Sequence, residues 1–318
     1  MNTTEKVIFE QFPYWEKAIG SNTAARKTDL LVYVGCGTSY YLALSLAASA
    51  NGAGRQAIAV PGDEWLNRPS LFWPEWTRTH VVAISRSGET TETVAAARKS
   101  RASGAFVTGL TVELESSLAR SCHKTIAAAT HPDEGIVMTA SASLMLLLGM
   151  QMAGYDIPAS TPAAAEALAR ALDASLPAQI HERSHVVFLG SGALFGIALE
   201  GALKLMEMSQ VLTQAFHPLE YRHGPISLVD QKTAVVMLYS ADQKDAEIKL
   251  VGELQDKGAL VVGLGGPGDV ALPVVDTDPA VAGLVLLPAL QILGERAAQA
   301  RRIDTVAPRH LTKVVTLA

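Results

Sequence analysis

The chain has 318 residues, 49% hydrophobic and 18% charged, with 26 Lys and Arg against 31 Asp and Glu for a net charge of −5. This is a globular composition, long enough for about two domains with their own cores, and the lack of a basic block argues against a nucleic-acid or anionic-membrane partner. Cys36 and Cys122 form neither a disulfide framework nor a metal-ligand spacing, so a reducing, cytoplasmic setting is expected.

Residues 1–24 read as an N-terminal helical arm. MNTTEKVIFEQFPYWEKAIG is amphipathic, with Ile8, Phe9 and Phe12 on one side, and lacks the basic start and apolar centre of a signal peptide. LVYVG at 31–35 is a short β-rich run that ends in glycines and opens into an Ala/Leu-rich helical stretch. HVVAIS follows as a second buried run, then a helix with charges on one face over Thr90–Ala105, then AFVTGLTV. Ile136–Gly154 is uncharged for 19 residues, long enough to cross a bilayer. Thr139, Ser141, Ser143 and Gln151 within it, and its mid-chain position, predict a buried core helix instead. Ile157–Ser184, with Pro158, Pro162 and a short Ala-rich helix, reads as a connector. The pattern then returns as HVVFLG, an apolar helix, AVVMLYS, a charged helix over Asp242–Lys257 and ALVVGLGG. Arg301–Ala318, carrying Pro308, reads as a tail.

The return is a duplication. A shift of 155 superposes Val32, Gly35, Gly37, Ala43, Leu44 and Ala47 on Val187, Gly190, Gly192, Ala198, Leu199 and Ala202. GAFVTGLTV from Gly104 matches GALVVGLGG from Gly258 at a shift of 154. Near-continuous apolar strands alternating with helices predict two tandem, doubly wound, parallel-sheet α/β units. The expected boundaries are 1–24 for the arm, 25–155 and 156–300 for the two units, and 301–318 for the tail.

In such sheets ligands sit beyond the carboxyl ends of the strands. Two loops there are rich in hydroxyls: Gly35-Cys36-Gly37-Thr38-Ser39, and Ser85-Arg86-Ser87-Gly88-Glu89-Thr90. Backbone N–H groups, hydroxyls and a helix dipole suit an anion such as phosphate, to which Arg86 could add a charge-assisted bond. The alternative is that these residues only cap the following helices, with Glu89 or Glu92 in capping-box positions. A dinucleotide fingerprint fails, because Tyr40 stands where the third glycine of GxGxxG belongs. The second unit has lost the hydroxyls at Gly190–Leu194 but carries Glu200, Lys204 and Glu207 on one helical face. They read either as a surface ion-pair ladder or as a partly buried, tunable cluster. EYRHGP then sets His223 before a Gly-Pro turn.

Together GCGTSY, SRSGET, EGALKLMEMS, EYRHGP and PRHLTKVVTLA resemble the sugar isomerase (SIS) domain pair, a family of aminosugar-phosphate synthases and deaminases, aldose–ketose isomerases and fructosamine-phosphate deglycases. The resemblance implies two flavodoxin-like α-β-α sandwiches that bind a sugar phosphate. It places Ser39, Ser85, Ser87 and Thr90 at phosphate-binding positions, beside Cys36, Gly37, Thr38 and Arg86 in the same loops. It makes Glu207 the proton shuttle between C1 and C2, Lys204 its supporting charge, and His223 the ring opener, acting from the neighbouring subunit of a homodimer with shared active sites. Lys313 becomes the tail lysine near the sugar carbonyl, and Val137 and Thr139 sugar contacts. No metal and no cofactor is implied. The expected reaction is deamination of glucosamine 6-phosphate or a related hexosamine phosphate. Deglycation, aldose–ketose isomerisation and non-catalytic sugar-phosphate sensing are the alternatives. A DNA-binding form would add a helix-turn-helix, for which the first 25 or so residues leave no room. Three departures stand out: no glutaminase segment precedes the pair, Arg86 replaces the usual Gln, and Ala140-Ser141 replaces a Thr-Lys pair.

Overall fold

The computed structural model describes residues 1–21, 30–72, 74–274 and 278–315. The chain divides into two compact units, residues 10–159 with the tail from His310, and residues 1–9 with 160–309. Helix α1 (Thr3–Phe9) opens the chain and belongs to the second unit.

The first unit contains α2 (Phe12–Ala18), β1 (Leu30–Gly35), α3 (Thr38–Gly52), β2 (Ala57–Pro61), α4 (Gly62–Asn67) and β3 (Thr79–Ile84). It continues through α5 (Thr91–Ala102), β4 (Phe106–Thr111), α6 (Ser117–Ser121), β5 (Lys124–Ala127) and α7 (Ala140–Ala153). Its strands are parallel in the order β2-β1-β3-β4-β5, the flavodoxin-like arrangement with a switch point between β1 and β3. Val32, Val34, Val81, Ala83 and Val107 present one sheet face to Trp65, Val94 and Leu118. On the other side α3 packs against α7, every residue of which is buried, as the uncharged run predicts.

The second unit contains α8 (Thr161–Ser175), β6 (His185–Gly190), α9 (Ala193–Ser209), β7 (Leu212–Phe216), β8 (Thr233–Leu238) and α10 (Lys244–Asp256). β9 (Leu260–Leu264), β10 (Val270–Leu272) and α11 (Ala282–Ala300) complete it. Its strand order, β7-β6-β8-β9-β10, repeats that of the first, all pairs again parallel. Backbone geometry repeats too. Gly37 and Gly192 precede the helices after β1 and β6 with φ of +55° and ψ of −127° and −126°, a conformation that favours glycine.

Four observations differ from the sequence expectations. The N-terminal segment is two helices, because Pro13 starts α2 afresh. Val7, Ile8 and Phe9 are buried with α1 against α11, whereas Phe12 and Trp15 belong to the first unit. The Ala-rich helix of the expected connector, α8, packs on α11 as part of the second core. The tail divides near Arg309, its last residues going with the first unit. The boundary expected at 24/25 lies outside the described residues, as do the last three residues of the tail. Residues 279–300 are long and apolar enough for a bilayer (mean hydropathy 1.4), yet 78% of the most apolar stretch is buried inside the protein, the signature of a core helix.

Candidate active site

In the first unit the two hydroxyl-rich loops leave the adjacent strands β1 and β3 at the switch point. Thr38 and Ser39 are buried in the first turn of α3, whose N-terminus carries no side-chain cap. Cys36 is half-buried, with its Sγ 3.6 Å from the Thr93 hydroxyl, and burial pushes its thiol up. In the second loop the Gly88 N–H donates to Ser85 Oγ (3.1 Å), the Ser85 and Thr90 hydroxyls pair at 3.1 Å, and the Glu89 N–H donates to Ser87 Oγ (3.2 Å). Gly88 has φ +64°, and a Cβ there would fall 2.1 Å from Ser116 Oγ, so the loop is built around glycine.

Helix capping does not account for these hydroxyls. Thr90 is the N-cap of α5 and makes no side-chain cap bond. Glu89 accepts the Ser117 N–H at the start of α6 (2.7 Å), not a donor of α5, and that bond holds its carboxyl below the usual range. The Ser85, Ser87 and Thr90 hydroxyls instead make hydrogen bonds within their own loop, at the N-terminal end of α5, where a helix dipole favours an anion.

Arg86 is engaged by backbone carbonyls. It is 7% exposed, and its guanidinium donates to Gly135 O (3.1 Å), Ile136 O (3.0 Å) and Lys313 O (2.9 Å), with Glu134 Oε2 at 3.7 Å. Glu134 Oε1 accepts the Thr139 N–H (2.7 Å), the Thr139 hydroxyl (3.2 Å) and the Ser141 N–H (2.9 Å). Thr139 is thus buried with its hydroxyl on a carboxylate, and Val137 is 4% exposed. Lys313 Nζ donates to Glu134 O at 3.0 Å. Arg86, Ser87, Glu89, His131, Glu134 and Lys313 line a cavity of about 530 Å³ in this unit, a size that suits a small ligand.

The equivalent loops of the second unit are occupied from within. Glu247 on α10, fully buried, accepts Ser191 Oγ (3.0 Å), the Ser240 N–H (2.8 Å) and Ser240 Oγ (3.0 Å). Ser191 and Ser240 are the repeat partners of Cys36 and Ser85 at the shift of 155. A carboxylate of the chain itself therefore meets the donors of the duplicated loop pair. The sequence reading missed Glu247; its signal was an acid seven residues after the loop serine.

Helix α9 carries the acid–base cluster. Glu200 and Lys204 are fully buried, and the Glu207 side chain is 21% exposed, so this is no surface ladder. Lys204 Nζ donates to Glu207 Oε2 at 2.5 Å and lies 3.4 Å from Glu200 Oε1. Burial alone would push the ammonium pKa down, but the two carboxylates outweigh it and hold it above the usual lysine value. Glu207 Oε1 accepts no hydrogen bond among the described residues. The EYRHGP loop is anchored just before its Gly-Pro turn. Tyr221 is buried in the core with its hydroxyl pushed up to about 12 by burial, and Arg222 pairs with Glu253 through two bonds of 2.9 and 3.0 Å. His223 follows, exposed, its ring making no hydrogen bond among the described residues.

Duplicated flavodoxin-like units, one with two hydroxyl-rich loops at its switch point and the other with a buried Glu-Lys-Glu cluster, define a tandem α/β protein. The SIS domain model matches residues 26–154 and 179–271, and the chain belongs to the SIS domain family. Glutamine–fructose-6-phosphate aminotransferases are among its relatives, that of Sulfurisphaera tokodaii at 28% identity over 92% of this chain and 51% of its own length. The Mycobacterium tuberculosis protein is 30% identical over 93% of this chain and 52% of its own length. The chain thus spans about half the length of the curated relatives it matches. A glucosamine-6-phosphate deaminase of Thermotoga maritima superposes with a TM-score of 0.85 and 31% identity, covering 99% of this chain and all of the other. Tagatose-6-phosphate ketose/aldose isomerase of Escherichia coli shares the fold, with TM-score 0.79 and 24% identity over 95% of this chain and 93% of its own.

Proposed function

We propose that the chain is an aminosugar-phosphate deaminase, converting glucosamine 6-phosphate or a related hexosamine phosphate and water to the ketose phosphate and ammonia. The observation that carries this reading is Glu207: one oxygen is held by the buried Lys204 ammonium, and the other is left for a proton. The likeness to a stand-alone deaminase over the whole of both chains supports the reaction class.

The phosphate binds to Ser39, Ser85, Ser87 and Thr90, whose hydroxyls and neighbouring N–H groups supply donors without capping. Only this loop pair takes phosphate, since its counterpart already holds Glu247. His223, an imidazole able both to give and to take a proton, moves the proton that opens the ring. The open sugar carries an aldehyde at C1 and an amine at C2. Glu207 takes the proton from C2 and returns it to C1, while the Lys313 ammonium stabilises the developing charge on the C1 oxygen. The product is the C2 imine of the ketose, which water hydrolyses to the ketone and ammonia.

The test offers purified protein glucosamine 6-phosphate, galactosamine 6-phosphate and their N-acetyl forms. Ammonia release from at least one is expected, and none from any would sink the reading. Ketose formed from an aldose phosphate without ammonia, or lysine freed from a fructose-lysine phosphate, would assign isomerase or deglycase activity instead.

The assembly proposed is a homodimer in which His223 serves the partner's site. Mixing inactive Glu207→Gln and His223→Ala proteins should restore part of the activity, since heterodimers then contain one intact combination. Mixed subunits that stay inactive would contradict it.

A further inference from the structure

The tail from His310 to Val315 has no helix or strand, and its residues are exposed. Among the described residues, two hydrogen bonds tie it to the rest of its unit, and both involve Lys313. The Arg86 guanidinium donates to Lys313 O, and Lys313 Nζ donates to Glu134 O. The same guanidinium holds Gly135 O and Ile136 O, on the segment that supplies Glu134 O. Its planar fork reaches three carbonyls from two segments nearly 180 residues apart in sequence, which a lysine ammonium at the end of a flexible stem could not match. Glu134 lies beside it at 3.7 Å, itself fixed by three donors, so the buried charge is compensated.

We infer that Arg86 is a positioning residue for Lys313: by pinning the tail backbone and the 134–136 wall to one guanidinium, it sets where the Lys313 ammonium stands. The tie itself is independent of any reaction. That it matters for turnover rests on the function proposed above, in which the ammonium acts on the C1 oxygen. An arginine at this place in the loop thus holds the tail down rather than holding the phosphate.

Two readouts test it. The first needs no activity: trypsin cleavage after Lys313, followed by mass spectrometry, with cleavage at other lysines and arginines as internal control. Arg86→Gln should speed cleavage after Lys313 by about 10-fold or more, the factor expected for losing a charged hydrogen bond at the cleaved residue. Unchanged cleavage would overturn the inference. The second is a double-mutant cycle in turnover. Arg86→Gln should lower kcat by roughly 10²-fold with little change in KM, as for a misplaced catalytic group. In a Lys313→Ala background it should cost little more, because the effect passes through Lys313. Losses that simply add would also overturn it. If Arg86→Gln does not fold, Arg86→Lys, which keeps a cation beside Glu134 and removes the fork, carries both measurements. Faster cleavage in a protein that turns over no phosphosugar would leave the tie standing and sink the proposed function alone.

Discussion

Replacing Glu207 with Gln should cut turnover by about 10²–10⁴-fold, the usual contribution of a positioned acid–base group, while phosphosugar affinity changes little. The amide is nearly isosteric and its oxygen still accepts from Lys204, so the geometry at 2.5 Å has no reason to collapse. What is lost is basicity at the oxygen that accepts no hydrogen bond among the described residues. Steady-state rates beside calorimetric binding of a phosphosugar separate the two effects. Full activity in this variant would show that the C2 proton goes elsewhere.

Lys204→Met should be the most damaging change to stability, at about 3–5 kcal/mol, because it strands a fully buried carboxylate without its cation. Glu200 cannot reach water, whereas Glu207 keeps about a fifth of its side chain exposed. Adding Glu200→Gln to Lys204→Met should recover much of the loss, since the uncompensated charge is then gone. The pH dependence has a definite sign. The folded-state pKa of Lys204 lies above the ordinary 10.5, so its contribution is fully present below that value and is lost as pH rises through the higher folded value. Urea unfolding from pH 7 to 11 should show wild-type stability falling at the alkaline end, and the double variant falling less there. A single variant as stable as wild type would refute the buried-triad description.

Much of the fold was legible because the chain repeats itself. The apolar runs that end at Gly35 and Gly190, and those of β3 and β8, have a physical cause, since strands buried on both faces must be apolar throughout. The edge strands β2, β5, β7 and β10 were not legible. They are short and only partly buried, and β5 and β7 carry polar residues such as Lys124 and Gln214, so they lack the continuous buried pattern of the central strands. The break at Pro13 could have been read locally, but the assignment of α1 to the second unit depends on contacts such as Glu5 with Arg296, 291 residues away. In the site, one-dimensional spacing sufficed for Glu200, Lys204 and Glu207, because positions three and four apart share a helical face. It failed for Arg86, whose partners lie some 50 and 227 residues away, and for Glu247, which looked like one more charge on an amphipathic helix. Long-range polar partners leave no periodic trace in a sequence.

The most direct measurement is the conversion of glucosamine 6-phosphate by the wild-type protein in D₂O, followed by NMR. Ammonia and fructose 6-phosphate should appear in equal amounts, with deuterium incorporated at C1 of the ketose by exchange at the carboxylate that carries the proton. Saturable binding with no product formed from this or from the other phosphosugars named above would contradict it and mark the chain as a sensor.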